Sequence, residues 1–370
     1  MKTYTNKPVT TNATGLATNS IDYYKGFRDL DVYAFDYYPE LRDSKADTFP
    51  YAFGRGIKQG QNFWVMEFMS GGGHRFSGSG RRQPNPGALK KAVFQAFANG
   101  AGAMLHFQFR TFPFGAEQLN YAIVDADGVP RRRYYEMQET ARLLKKIEKY
   151  ESAEFKNETA ICLDYETYWA LRIKPVNDPV FEYLRYCGEI YQLLEAQGIQ
   201  ADVISVKEDI TPYKTVILPS AFILDEQDRE RLKTYVQNGG NLVATFLSSV
   251  KNRDNIGYTE TLPAGLTDVF GIEVEEVEPV FESNHANIKL ELDGKYLEGQ
   301  DGIWCDLLGG TAKMIGSYQD SYKAGKGIVS ENCFGEGHAY YIGTALSAEL
   351  MEELLVWICD KAGVRKHPFQ

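Results

Sequence analysis

Residues 63–80 read FWVMEFMSGGGHRFSGSG. The apolar run Phe63 to Met66 leads straight into Glu67, and three residues later the chain turns glycine-rich. The run predicts a buried strand over 62–67, and a strand of that kind has no packing use for a carboxylate. In a parallel array of strands and helices, reactive side chains stand where the strands end, at the C-terminal face. Glu67 therefore has two readings: a reactive carboxylate at the lip of a sheet, or a helix cap or salt-bridged surface group. The glycines behind it allow backbone to approach a ligand closely.

Working outward, the pattern repeats. Residues 7–12 read as the end of a short strand, 21–30 as helical, 31–39 as a strand stopped by Pro39, and 49–60 as a helix ending at Gly60. A further helix starts at Pro86 and ends at Gly100, the usual placement of these two residues at helix termini. A strand over 103–110 follows. A long helix over 131–149 then carries Met137, Ala141 and Leu144 on one face. Near-continuous apolar strands alternating with helices argue for a parallel sheet covered by helices. Three strands end in polar or aromatic groups: Asp36-Tyr37-Tyr38, Glu67, and Gln108-Phe109-Arg110. His106, inside an apolar strand, reads as a hydrogen-bonded core residue.

Composition bounds the function. The 370 residues suit two domains or three. Net charge is −10, unevenly spread: residues 1–148 hold 20 Lys and Arg against 14 Asp and Glu, and 149–370 hold 20 against 36. The longest basic run is Arg131-Arg132-Arg133, too little for a nucleic-acid-binding face. Residues 1–20 have no apolar core of the signal-peptide kind, and no run of about 18 apolar residues suggests a membrane span. The five scattered cysteines form no CxxC pair. They read as buried free thiols in a reducing, cytoplasmic setting. No metal site and no cofactor are expected.

Several ordered blocks together carry a family resemblance: VTTN (9–12), DLDVYAFDYYP, FWVMEF, NPGALKKAVFQAFANGAGAMLHFQFR, FGAEQ, and DADGVPRRRYYEMQETARLL. They resemble glycoside hydrolase family 42, the β-galactosidases, over nearly the whole chain. The resemblance implies an α/β fold: the C-terminal half of a (β/α)8 barrel over residues 1–148, carrying strands five to eight. It implies that Glu67 is the catalytic nucleophile, that Glu117 contacts sugar hydroxyls, and that Tyr38 lies beside the nucleophile. A retaining glycosidase needs a second carboxyl about 5–5.5 Å away as acid/base. In the family that glutamate belongs to strand four, in an Asn-Glu pair, and no such pair precedes Glu67 here. A full barrel takes ~250 residues, so the missing half is expected from a separate polypeptide. The family's zinc-binding cysteines are absent as well. Asn120 stands where the family has a sugar-binding His. Phe76 stands in for a Trp, and His74 is a further polar candidate, although a plain loop His reads more simply. Arg110 completes the substrate-side set. Galactose, arabinopyranose and fucose all remain open as the sugar.

Residues 149–366 form a second alternating segment, flavodoxin-like in outline, with strands over 201–206, 213–220 and 241–246 and helices over 179–199 and 225–240. It resembles the family's trimerisation domain, with LDYETYWAL at 163–171, and so implies a homotrimer. That domain has a class I glutamine amidotransferase-like fold. After the strand over 241–246 the chain reads Leu247-Ser248-Ser249, with no cysteine nucleophile, so neither amidotransferase nor serine-hydrolase chemistry is expected. Residues 336–344 read as a further strand and 347–363 as the last helix. Two functions compete: a retaining exo-glycosidase of β-galactosidase type, and a non-catalytic assembly remnant of such an enzyme.

Overall fold

A computed structural model describes residues 4–17, 20–39, 41, 47–74, 80–150, 153–177 and 181–367. Contacts divide the chain into two compact units, Met1–Lys156 and Asn157–Gln370.

The first unit holds a four-stranded parallel sheet in sequence order: β1 (Asn12–Ala13), β2 (Ala34–Tyr37), β3 (Phe63–Met69) and β4 (Ala101–Phe107). Helices α1 (Phe49–Ile57), α2 (Ala88–Ala98) and α3 (Arg132–Ile147) alternate with the strands. This is the half-barrel repeat that the sequence predicts. One face of the sheet is packed against helix: Phe35, Phe63, Val65 and Phe68 are at most 1% exposed, and the Phe63 ring stacks on Tyr51 of α1. Gly54 of α1 lets that helix sit on Phe63, since a Cβ there would lie 3.0 Å from the ring. In α2 the buried Leu89, Ala92, Val93 and Ala96 follow helical spacing. No described helix covers the other face, and Leu105 of β4 is 46% exposed.

β3 is not a regular strand. Its pairing slips by one residue against both neighbours: Phe35 pairs with Val65 but Asp36 with Glu67, and Val65 pairs with Met104 but Phe68 with His106. The strand therefore carries one extra residue at Met66–Glu67, a bulge of a kind rarely seen between parallel strands. Strict alternation from Phe63 would send Glu67 into the helix layer and Phe68 away from it. The bulge puts Met66 and Glu67 together on the uncovered side and returns Phe68 to the core, as the half-exposure of Met66 and Glu67 between buried Val65 and Phe68 records.

β4 is an edge strand. Beside its first residues runs an apolar groove of about 880 Å³, lined among others by Phe94, Phe97, Leu144, Ile147, Tyr150 and Phe155. Leu144, expected on a buried face of α3, lines this groove, and Ala141 is exposed.

The second unit is built on β5 (Thr159–Cys162), β6 (Ala201–Ile204), β7 (Thr215–Leu218) and β8 (Asn241–Thr245), with helices α4 (Tyr165–Ile173), α5 (Tyr183–Ala196) and α6 (Glu226–Gln237). The next six strands are β9 (Ile272–Pro279), β10 (Asn287–Leu292), β11 (Lys295–Gln300), β12 (Trp304–Gly310), β13 (Lys313–Tyr318) and β14 (Gly327–Phe334). They lead to β15 (Gly337–Ile342) and α7 (Ala348–Lys361). The parallel strands run β6-β5-β7-β8-β15, a flavodoxin-like order. β9 to β14 join through antiparallel pairs and extend the sheet to eleven strands. That antiparallel half goes beyond the purely parallel second sheet expected. Its local signal is Asp293-Gly294 between β10 and β11, both at positive φ (49° and 86°), the backbone a two-residue hairpin demands. Four cysteines are buried free thiols as expected; Cys333 is exposed instead, near the end of β14.

Candidate active site

Glu67 is placed by the bulge, and its neighbours come from the ends of the two preceding strands. Tyr38, just past β2, donates its Oη–H to Glu67 Oε2 at 2.7 Å. Asn12 of β1 donates from Nδ2 to Glu67 Oε1 at 3.4 Å and to the two oxygens of Asp36 at 3.0 and 3.3 Å. Asp36 is the register partner of Glu67. Half-burial first, and the Glu67 charge second, push the Asp36 carboxyl up to about 6, while the Asn12 hydrogen bond pulls the other way. Burial, then the bond to Glu67, raises the Tyr38 phenol far above its ordinary value, so at neutral pH it is a donor only. The Arg81 guanidinium lies 4.8 Å from the Tyr38 ring centroid. Tyr38 and Asn12 thus each donate a hydrogen bond to a different oxygen of Glu67 and fix the plane of its carboxylate. Among the described residues Glu67 caps no helix and makes no ion pair.

The glycines Gly71 to Gly73 behind Glu67 let another stretch of the chain's own backbone come close. Tyr121 N donates to Gly72 O at 2.9 Å, and Gly73 bridges to Asn120. A Cβ on Gly73 would lie 2.0 Å from Leu119 O, and one on Gly71 2.6 Å from Tyr121 O. The glycine run is thus the bed on which the 117–121 loop lies, and it ties Glu117 to the end of β3. Within that loop Asn120 Nδ2 donates to Glu117 Oε2 at 3.2 Å. Arg110 is elsewhere: its guanidinium fastens the Ala126 carbonyl at 2.6 and 3.1 Å. Phe76 and the His74 side chain lie outside the described residues. His106 bonds Met69 O through Nδ1 at 3.3 Å and stands edge-on to Phe68. Burial lowers its pKa, as suits a core histidine.

The sequence reading missed Asn12 as a site residue and noted Asp36 only as part of a strand end. Both could have been found from β1 and β2 being neighbours of β3 in a sequence-ordered sheet, which brings their C-terminal ends alongside Glu67.

In the second unit Leu247 keeps a left-handed φ of 61° after β8, the backbone of a nucleophile elbow, but its side chain is apolar and buried. Ser248 Oγ donates to Thr245 O at 2.6 Å. This elbow carries no nucleophile. Among the described residues no cluster of His, Cys, Asp or Glu could hold a metal ion, and no helix is long and apolar enough to cross a membrane.

The first unit thus presents a sheet-end glutamate held by a tyrosine hydroxyl and an asparagine amide. Residues 1–147 match the family model described as β-galactosidase, and 157–365 the β-galactosidase trimerisation domain. The chain belongs to the glycoside hydrolase family 42 β-galactosidases. It is 33% identical over 361 residues to β-galactosidase BgaA of Clostridium cellulovorans, covering 95% of this chain and 54% of that protein. It is 29% identical to β-galactosidase LacZ of Lactobacillus acidophilus, over 96% of this chain and 53% of the relative. The crystal structure of a β-galactosidase from Bacillus circulans sp. alkalophilus superposes with a TM-score of 0.91 at 29% identity, over 98% of this chain and 54% of that one. The chain spans about half the length of the relatives it matches.

Proposed function

We propose that this chain supplies the nucleophile half of a retaining β-galactosidase acting on terminal β-galactosides, with Glu67 as nucleophile. The observation that carries the reading is the Tyr38–Glu67–Asn12 arrangement, set by the bulge on the uncovered face of the sheet. In the first step a Glu67 oxygen bonds to the anomeric carbon as the bond to the leaving oxygen breaks. A second carboxyl group gives that oxygen its proton. In the second step the same group takes a proton from water, the water oxygen attacks the anomeric carbon, and the bond to Glu67 breaks. That second group is a glutamate from outside these 370 residues. The open edge of β4 and its apolar groove offer the half carrying it a place to pair. Glu117 and Asn120 bind sugar hydroxyls, and Arg110 acts through the loop it fastens. The trimerisation-domain match supports a homotrimer.

The test is to co-express the chain with the N-terminal half of a related enzyme and treat the complex with a 2-deoxy-2-fluoro-galactoside. The expected product is a glycosyl ester on Glu67. A label on Glu117 overturns the assignment, and an unlabelled, inert complex favours the non-catalytic scaffold.

A further inference from the structure

Two carboxyl groups share one amide in this site. An asparagine side chain is ambivalent: its NH2 donates and its carbonyl accepts, and a half-turn exchanges them. Turned one way, Asn12 gives Glu67 a hydrogen bond; turned the other, it sets a carbonyl oxygen against a carboxylate. Tyr38 holds Glu67 Oε2 and has no influence on that choice. Asp36 has: ionised, it is an acceptor only, and it takes Asn12 Nδ2 at 3.0 and 3.3 Å, which leaves the same NH2 facing Glu67 Oε1 at 3.4 Å. A second negative charge beside a nucleophile is otherwise unfavourable, and the packing of the helix side makes no use of Asp36. We propose that Asp36 is a positioning residue, which through Asn12 keeps the amide's donor side on Glu67 and so fixes the orientation of that carboxylate. This rests on the nucleophile reading of Glu67 for its catalytic meaning, but the linkage itself exists without it.

The device responds to pH. Among the described residues the groups facing Asp36 are Glu67, the Asn12 amide and the Tyr38 oxygen, with Arg81 over the Tyr38 ring. Once protonated, Asp36 carries an O–H donor and no longer selects the NH2 of Asn12. The orientation of Glu67 then loosens as pH falls through the Asp36 titration.

Two measurements test this. In the full chain, the 13C carboxyl signal of Glu67, assigned by its loss in Glu67→Gln, is followed against pH. The expected parent trace carries a second inflection near pH 6, from Asp36. Asp36→Asn removes the second inflection, and Asn12→Ala reduces it with Asp36 still present. A single-step parent trace that neither variant changes overturns the proposal. In the reconstituted complex, the rate of fluoroglycoside trapping on Glu67 is expected to fall below pH 6. Asp36→Asn should slow it about tenfold at neutral pH, the scale of one hydrogen bond to a charged group, and flatten that acid limb. Labelling of Glu67 with an acid limb untouched by Asp36→Asn sinks the positioning role alone. Labelling elsewhere, with the inflection present, sinks the nucleophile assignment and leaves the linkage standing.

Discussion

Replacing Gly73 by alanine tests how the active-site loops are assembled. Gly73 has φ of +120°, a backbone region closed to side-chain-bearing residues, and its added Cβ would meet the Leu119 carbonyl oxygen at 2.0 Å and Tyr121 Cδ2 at 2.9 Å. The first contact is backbone, so no side-chain rotation relieves it. Backbone strain of this kind costs about 1–3 kcal/mol, and forcing an extra methyl into a filled space costs another ~1–3 kcal/mol. The two together set a local destabilisation of roughly 2–6 kcal/mol. The 117–121 loop should detach from the glycine run before the sheet unfolds. The reporter is amide exchange at Tyr121, whose N–H donates to Gly72 O at 2.9 Å. It should exchange at least ~30-fold faster, since each 1.4 kcal/mol is about tenfold. Gly80→Ala is the control, because nothing lies within 4 Å of a Cβ there and its φ is unremarkable. Equal protection of Tyr121 in both variants would refute the argument.

Tyr38→Phe removes a 2.7 Å hydrogen bond to a carboxylate. At about 1.5–3 kcal/mol for such a bond, trapping of the fluoroglycoside on Glu67 in the reconstituted complex should slow at least ~10-fold, and an unchanged labelling rate would contradict the role of that bond. The 370-residue chain alone should turn over lactose poorly: acid–base assistance is worth ~10²–10⁴ in rate, and an activated aryl galactoside should suffer less. Comparable lactose turnover with and without a complementing half would contradict this. In the second unit, burial raises the Asp164 carboxyl to about 6, against the pull of Ser205 Oγ, Lys207 and Val206 N–H. A raised folded-state value means this group's contribution is full below about pH 4 and is lost as pH rises through 6. The loss is at most ~3 kcal/mol. Urea unfolding of the chain should show that loss, and Asp164→Asn should flatten it.

How much was legible depended on the kind of signal. α2 and α6 were readable because Pro86, Gly100 and the acids of 225–228 mark their ends by chemistry that acts within one turn. Glu67 was readable because a carboxylate at the end of an apolar strand contradicts its surroundings. The bulge that aims it was not. A one-residue slip shows only against partner strands, and FWVMEFM has no polar alternation from which to sense it. Asn12 and Asp36 were hidden for a related reason: each looks like an ordinary strand-end polar residue until the sheet order sets the three ends side by side. Of the strands β9 to β14, β9 escaped because it is half-exposed and rich in glutamate, IEVEEVEP, so tertiary pairing outweighs local preference there.

The extra residue in β3 separates chemistry from folding. Phe63, Val65 and Phe68 keep their places on the helix side only because the slip adds a position between them, and the glutamate sits on that surplus position. An in-frame loss of codon 67 would leave Met66 on the open side, Phe68 in the core and a regular strand. Of all ways to silence such an enzyme, this one would trouble its core least. On the nucleophile proposal Glu67 serves the site alone, since the buried packing of the strand is carried by its neighbours.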